Sequence, residues 1–203
     1  MTRHEPFELV VLAASAGGIE ALGRVLGSLP PTFPVPIAVV QHRSPHAENL
    51  LSRVLQRSTL LRVEPARTGQ PLRSGTVYVA PADSHLIVSP DRSFGFTDGR
   101  KIRFVRSSAN PLLESAAEVL GGRVVAVVLT GWGSDATDGV QAVKARGGIV
   151  IAQNRETSHS FGMPGAAIAT GAVDHVLPLD QIGPMLSELA ATDGAPHAAA
   201  PAG

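Results

Sequence analysis

The sequence predicts an α/β fold: a doubly wound three-layer α/β/α arrangement with a mostly parallel sheet and an antiparallel hairpin insertion. Two observations carry this. Short continuous apolar runs bounded by turn residues alternate with stretches of helical periodicity, the pattern of buried parallel strands joined by helical crossovers. Length is the second: 203 residues suffice for one α/β core that folds without staples, and there is no cysteine to make any.

Taken in order, Glu8 to Ala14 predicts the first strand, and Gly18 to about Ser28 its helix, with Ile19, Leu22, Val25 and Leu26 on one face. Pro30, Pro31 and Pro34 then break the chain, and Ile37 to Val40 is a second buried strand ending at Gln41-His42-Arg43. A helical pattern runs from His46 to Arg57, and Arg62-Val63-Glu64 is a weak third strand. Thr76 to Ala80, His85 to Val88 and Ser93 to Thr97 are short, alternating and separated by Pro81-Ala82-Asp83 and Pro90-Asp91, so they are expected to form antiparallel hairpins decorating the sheet. A helix from Pro111 to Leu120 follows. The most β-like run, Arg123 to Thr130, ends in Gly131-Trp132-Gly133-Ser134-Asp135, with a helix carrying Val140 and Val143 after it. Gly148 to Ala152 predicts another buried strand, Phe161-Gly162-Met163-Pro164 opens an alanine-rich helix, Asp174 to Leu177 is a last strand and Leu179 to Ala190 a last helix. Residues 1–191 are expected to form a single domain, and 192–203 a disordered low-complexity tail.

In such a sheet, ligands sit outside the carboxyl ends of the strands. Three exits hold Ser15, His42 and Asp135. A serine hydroxyl needs a base to take its proton as it attacks; a histidine has the pKa for that task, and a carboxylate on its other ring nitrogen fixes the tautomer. The oxyanion of an acyl-transfer reaction needs donors, and the backbone N–H groups of Ala16, Gly17 and Trp132 are candidates, both segments being expected to lead into helix N-termini. The order Ser, His, Asp differs from that of the α/β-hydrolases, so a triad here is a convergent one.

Other readings of the same residues stay open. Ser15 suits a helix cap, as do Asp135 and Ser134 ahead of the next helix; His42 suits a cap or a surface position, and Trp132 simple packing. His85 and His159 are rival bases. With His42 they would offer a metal site, but no close ligand pair supports one. An NADP-dependent reductase is disfavoured, because Ala14-Ser15-Ala16-Gly17-Gly18-Ile19 lacks the G-x-G-x-x-G spacing and no acid ends the second strand.

Composition narrows the function classes. Formal net charge is zero, with cations dispersed, and only 4% of residues are aromatic, which disfavours a nucleic-acid interface. No apolar stretch reaches the length of a membrane span, and the first residues lack the apolar core of a signal peptide. The expected location is the cytoplasm, with no cofactor and no resident metal.

Several motifs together resemble the catalytic domain of the CheB protein-glutamate methylesterases. They are Ala14-Ser15-Ala16-Gly17-Gly18-Ile19-Glu20-Ala21-Leu22, Val40-Gln41-His42, Tyr78-Val79-Ala80-Pro81, Leu129-Thr130-Gly131-Trp132-Gly133-Ser134-Asp135 and Phe161-Gly162-Met163-Pro164, in the family's order from about residue 8 to 189. The resemblance implies hydrolysis of glutamate γ-methyl esters on the cytoplasmic helices of chemoreceptors, and in some members glutamine deamidation. It aligns the family's nucleophile with Ser15, its base with His42 and its aspartate with Asp135, and makes the Trp132 N–H an oxyanion donor. The chain departs from the family at Ala16, where threonine is usual, at Trp132, where methionine is usual, and at Ser107 and Asn110, where proline and aspartate are frequent. Typical members carry an N-terminal phosphoacceptor receiver domain, so a separate receiver-domain regulator is an expected partner beside the receptor substrate. The alternative is a CheB-like binding or regulatory module, altered in catalysis, that acts on a different partner. Arg43, His85 and Arg155 are candidates for the rim of the cleft.

Overall fold

The structure, a computed structural model, describes residues 6–42, 50–97 and 107–192. In chain order the elements are β1 (Leu9–Ala14), α1 (Gly18–Gly27), β2 (Ile37–Gln41), α2 (Leu51–Gln56), β3 (Arg62–Pro65), β4 (Thr76–Val79), β5 (His85–Val88) and β6 (Phe94–Thr97). They continue with α3 (Ala109–Leu120), β7 (Val124–Val128), α4 (Thr137–Ala145), β8 (Ile149–Gln153), α5 (Gly162–Ala169), β9 (His175–Leu177) and α6 (Leu179–Thr192).

Seven strands form one sheet in the order β3-β4-β2-β1-β7-β8-β9, and every neighbouring pair is parallel. β1 is central because all six of its residues are apolar and buried, which only a strand covered on both faces can satisfy. Its alternate side chains feed two separate cores. Leu9, Val11 and Ala13 pack with α3, α4, α5 and the β5–β6 hairpin; Val10, Leu12 and Ala14 pack with α1, α2 and α6. The chain winds outward from β1 through β2 on one side and through β7 on the other, so the crevice of the sheet lies where these exits diverge.

The doubly wound α/β class is as expected; one strand is not. Thr76 to Val79 does not decorate the sheet as part of a hairpin. As β4 it lies between β2 and β3, in register Ala38↔Tyr78 and Glu64↔Tyr78. Its alternation concerns residue identity, not exposure: Val77 and Val79 enter one core, Tyr78 and Ala80 the other. The Tyr78 hydroxyl stays satisfied by donating to the Pro71 carbonyl at 2.9 Å and accepting from the Arg73 N–H at 3.1 Å. Among the described residues, only β5 and β6 make an antiparallel hairpin. It packs on α3, where the Ser115 hydroxyl accepts from the Val88 N–H at 3.0 Å. The helix expected from His46 to Arg57 begins instead at Leu51, with the described Leu50 as its N-cap; residues 43–49 lie outside the described part, as does the expected tail from 193 onward. No described helix is long and apolar enough to cross a membrane.

α3 and α4 approach closely through Gly139. A methyl group there would stand 2.5 Å from Leu113 Cβ and 2.8 Å from its Cδ1. Alanine gains up to about 1 kcal/mol over glycine in a helix, but overpacking a filled interface costs about 1–3 kcal/mol. The clash prevails, so Gly139→Ala is expected to lower the free energy of unfolding by roughly 1–2 kcal/mol, read from a reduced urea midpoint at unchanged m-value.

Candidate active site

Ser15 follows β1 directly and is part-buried. Its backbone is pinned from three directions: its N–H donates to the Thr130 carbonyl at 2.9 Å, and its carbonyl accepts from the Gly18 N–H at 2.9 Å and from Gln41 Nε2 at 2.8 Å. Ser15 does not cap α1. The residue at that position is Gly17, whose φ of 76° puts the turn in the left-handed region that favours glycine. Gly17 also has no room for a side chain, since a Cβ would meet His159 Cβ at 2.6 Å. The N–H groups of Ala16, Gly17 and Trp132 have no hydrogen-bond partner among the described residues.

His42 follows β2, and its N–H donates to the Ala14 carbonyl at 3.0 Å, which keeps it alongside the Ser15 turn. Its Nε2 lies 2.7 Å from Asp135 Oδ2, with both side chains nearly out of solvent. Nδ1 is therefore the nitrogen left for a reacting group. No hydrogen bond joins Ser15 Oγ to His42 among the described residues.

Asp135 does stand at a helix N-terminus, though not that of the helix that follows it. α4 is preceded by Ala136 with no side-chain cap. Asp135 instead reaches the start of α3, where Oδ1 accepts from the Ser108 hydroxyl and Oδ2 from the Ala109 N–H at 2.8 Å. Burial pushes its pKa up. The hydrogen bond and charge of His42, together with those two donors, outweigh burial and hold the carboxyl below its ordinary range. The carboxylate thus stays ionised while buried, as an aspartate facing a histidine must.

Sequence reasoning missed the residues that tie these parts together. Gln41 is buried at the end of β2, and its Nε2 donates to both the Ser15 carbonyl at 2.8 Å and the His42 carbonyl at 3.0 Å. Gly18 leaves room for this amide, because a Cβ there would overlap Gln41 Oε1. Thr130 does similar work on the other flank: its hydroxyl accepts from the Ser160 N–H at 2.8 Å and lies 2.9 Å from the Ala16 carbonyl. Gly131 passes beneath Ser15 so closely that a Cβ would lie 2.7 Å from Ser15 Cβ. Ser108 could have been read as an N-cap, since its hydroxyl accepts from the Asn110 N–H at 3.2 Å, but nothing local announced its second bond to Asp135.

Other expectations need correction. His85 is not at the rim. It is 1% exposed, its Nδ1 accepts from the Ser108 N–H at 3.0 Å, and it lies behind the capping serine. His159 is exposed and packs on Gly17. His42, His85 and His159 do not converge, and among the described residues no group of three or more metal-ligating side chains does. The Trp132 segment does not run straight into a helix, since α4 starts only at Thr137. Trp132 is 72% exposed and lines a side cavity with Arg155 rather than packing in the core. Arg43 lies outside the described residues. Ser107 has a φ of 69°, a backbone closed to the proline frequent in the resembling family.

Comparison with known proteins agrees with this fold. The CheB methylesterase family model matches residues 10–186. A crystal structure of the Thermotoga maritima CheB methylesterase catalytic domain superposes with a TM-score of 0.87 at 39% identity, covering 90% of this chain and 98% of that one. A Caulobacter vibrioides protein-glutamate methylesterase/protein-glutamine glutaminase is 41% identical over 91% of this chain, which spans 54% of that protein. A similar Anaeromyxobacter dehalogenans protein, 44% identical over 90% of this chain, is spanned over 53% of its length. The chain therefore covers about half of these two relatives. A Leptospira interrogans relative, 35% identical, is matched over 95% of its length. With the fold and the family motifs in agreement over nearly all of its length, the chain belongs to the CheB methylesterase family.

Proposed function

We propose that this chain hydrolyses glutamate γ-methyl esters on the cytoplasmic helices of a chemoreceptor, with glutamine deamidation as a second reaction of the same site. The observation that carries the reading is the His42–Asp135 contact at 2.7 Å, its carboxylate held by Ser108 and Ala109, at the same edge of the sheet as Ser15.

Ser15 Oγ attacks the ester carbonyl while His42 Nδ1 takes its proton. The positive charge that develops on the ring is balanced by Asp135 at Nε2. The N–H groups of Ala16, Gly17 and Trp132 receive the oxyanion. Collapse of the tetrahedral intermediate breaks the bond to methoxide, which leaves as methanol with the proton from His42. Water, deprotonated by the same nitrogen, then attacks the acyl-serine, and the glutamate carboxylate departs as Ser15 recovers its proton. With glutamine, the leaving group is ammonia. Among the described residues no hydrogen bond joins Ser15 Oγ to His42, and in catalytic pairs this contact often tightens only in the complex with substrate.

The test is methanol release from a helical peptide carrying a glutamate methyl ester. Steady release that saturates with peptide is expected. No release, together with failure of a serine-directed phosphonate to label Ser15, would favour the reading as a binding module acting on another partner. A receiver-domain protein is the expected regulator, added in trans to the same assay.

Gln41 enters as a positioning residue. Gln41→Leu removes both donations at similar volume. It is expected to slow phosphonate labelling of Ser15 and kcat by about tenfold, the effect of losing roughly 1.4 kcal/mol of alignment, with KM little changed. A purely structural role would lower the melting point and leave the labelling rate per folded molecule as it was.

A further inference from the structure

One flank of the cleft carries side chains for which ester hydrolysis has no use. A cavity of about 440 Å³ is lined by Trp132, Arg155, His159, Ser160, Phe161 and Gly162. It adjoins the candidate nucleophile through two contacts. His159 lies against Gly17, and Gly162 backs onto Gly131, the residue beneath Ser15. Arg155 is held in this cavity by its guanidinium, 4.2 Å from the centroid of the Phe161 ring. A guanidinium stacked on an aromatic face keeps its planar N–H fork free along the edge, the geometry that grips a carboxylate with two parallel bonds.

Arg155 has no acidic partner among the described residues, as is also true of Arg53, Arg57, Arg67, Arg73 and Arg146; what sets it apart is its seat over the Phe161 ring in the cavity beside Gly17 and Gly131. Glu156 is adjacent in sequence, yet no ion pair forms between them. A cation that is oriented, unpaired and set beside the reacting centre is a site for an anion supplied by the substrate. The aromatic walls of Trp132 and Phe161 suit the methylene stem of a long acidic side chain.

We propose that the Arg155 cavity is an accessory subsite that takes the carboxylate of a second acidic side chain on the substrate helix, on the same face as the esterified glutamate. Residues three, four or seven apart share a helix face, so the partner lies at one of these spacings. The proposal rests on the methylesterase reading for its substrate, and Arg155 acts as a specificity determinant rather than a catalytic residue.

The experiment uses helical methyl-ester peptides that differ only at the partner position, as glutamate, glutamine or lysine, at each of the three spacings. Affinity is read by fluorescence anisotropy on the Ser15→Ala protein, where no turnover intervenes, and kcat/KM by methanol release on the active protein. At one spacing the glutamate peptide is expected to bind about three- to fivefold more tightly than the glutamine peptide, as for an ion pair on an exposed arginine. Arg155→Ala should bring that ratio to one, and Arg155→Glu should invert it in favour of lysine. Equal affinities for glutamate and glutamine peptides at all spacings, or a preference that survives both Arg155 variants, overturns the subsite. The two readings fail separately: charge preference without methanol release leaves the subsite standing and removes the methylesterase activity, and release without preference does the reverse.

Discussion

Ser15→Ala is expected to abolish methyl-ester hydrolysis, lowering kcat by roughly five to six orders of magnitude, the scale of removing a serine nucleophile from a hydrolase. Acyl transfer has no route without the hydroxyl. What remains is the acceleration supplied by the oxyanion donors and by binding. The fold should not suffer. Every bond that pins this residue is made by its backbone, to Thr130, Gly18 and Gln41, and the alanine Cβ occupies the position of the serine Cβ above Gly131. Initial rates of methanol release, with melting curves of both proteins, decide the matter. Retention of activity within about tenfold of wild type would exclude covalent catalysis through Ser15.

Asp135→Asn is expected to lower kcat by about 10⁴-fold at neutral pH, as loss of the aspartate does in a serine triad through the wrong histidine tautomer. The local geometry makes asparagine a poor substitute. Asp135 accepts from His42, Ser108 and Ala109 at once. An amide has one oxygen for these three donors: with its NH₂ toward His42 it opposes the Ala109 N–H and makes Nε2 an acceptor, which fixes the wrong tautomer, and with its NH₂ toward Ser108 it leaves the imidazolium without a counter-charge. The acid dependence has a definite sign. The carboxyl is held below its ordinary value, so it binds a proton less readily in the folded chain than in the unfolded one. Its contribution to stability is fully present above the unfolded pKa and is lost as pH falls through the folded one. Wild type should therefore lose part of its advantage over Asp135→Asn below about pH 4, the gap in urea midpoint shrinking as acid is added. A gap that widens on acidification would mean that Asp135 is not the ionised partner of His42.

The parts of the site that could be read from the chain are those that parallel-sheet topology places by itself. An apolar run shows where a strand stops, so the placement of Ser15, His42 and Asp135 beyond the ends of β1, β2 and β7 was legible one by one. What joins them was not. Gln41 clamps two carbonyls that belong to different strands, and Ser108 offers a single hydroxyl both to its own helix and to a loop beyond β7. Such bonds leave no periodic trace, because their partners are set by packing and not by spacing. β4 was misplaced for a related reason. The alternation of Thr76-Val77-Tyr78-Val79 matches a half-exposed hairpin, and only the two cores meeting on its opposite faces make it an interior strand. His85 illustrates the converse: a histidine among turn residues looks available, yet the hairpin folds it beneath α3.

Trp132 divides two kinds of constraint within one residue. Its backbone N–H borders the cleft beside Gly131, where even a methyl group would strike Ser15, while its indole stands mostly in solvent above the Arg155 cavity. As a proposed oxyanion donor the peptide unit is indifferent to the side chain it bears; the ring meets only what surrounds the proposed reacting group. Under the proposed reaction, drift at this position retunes which substrates fit without touching how the bond is cut.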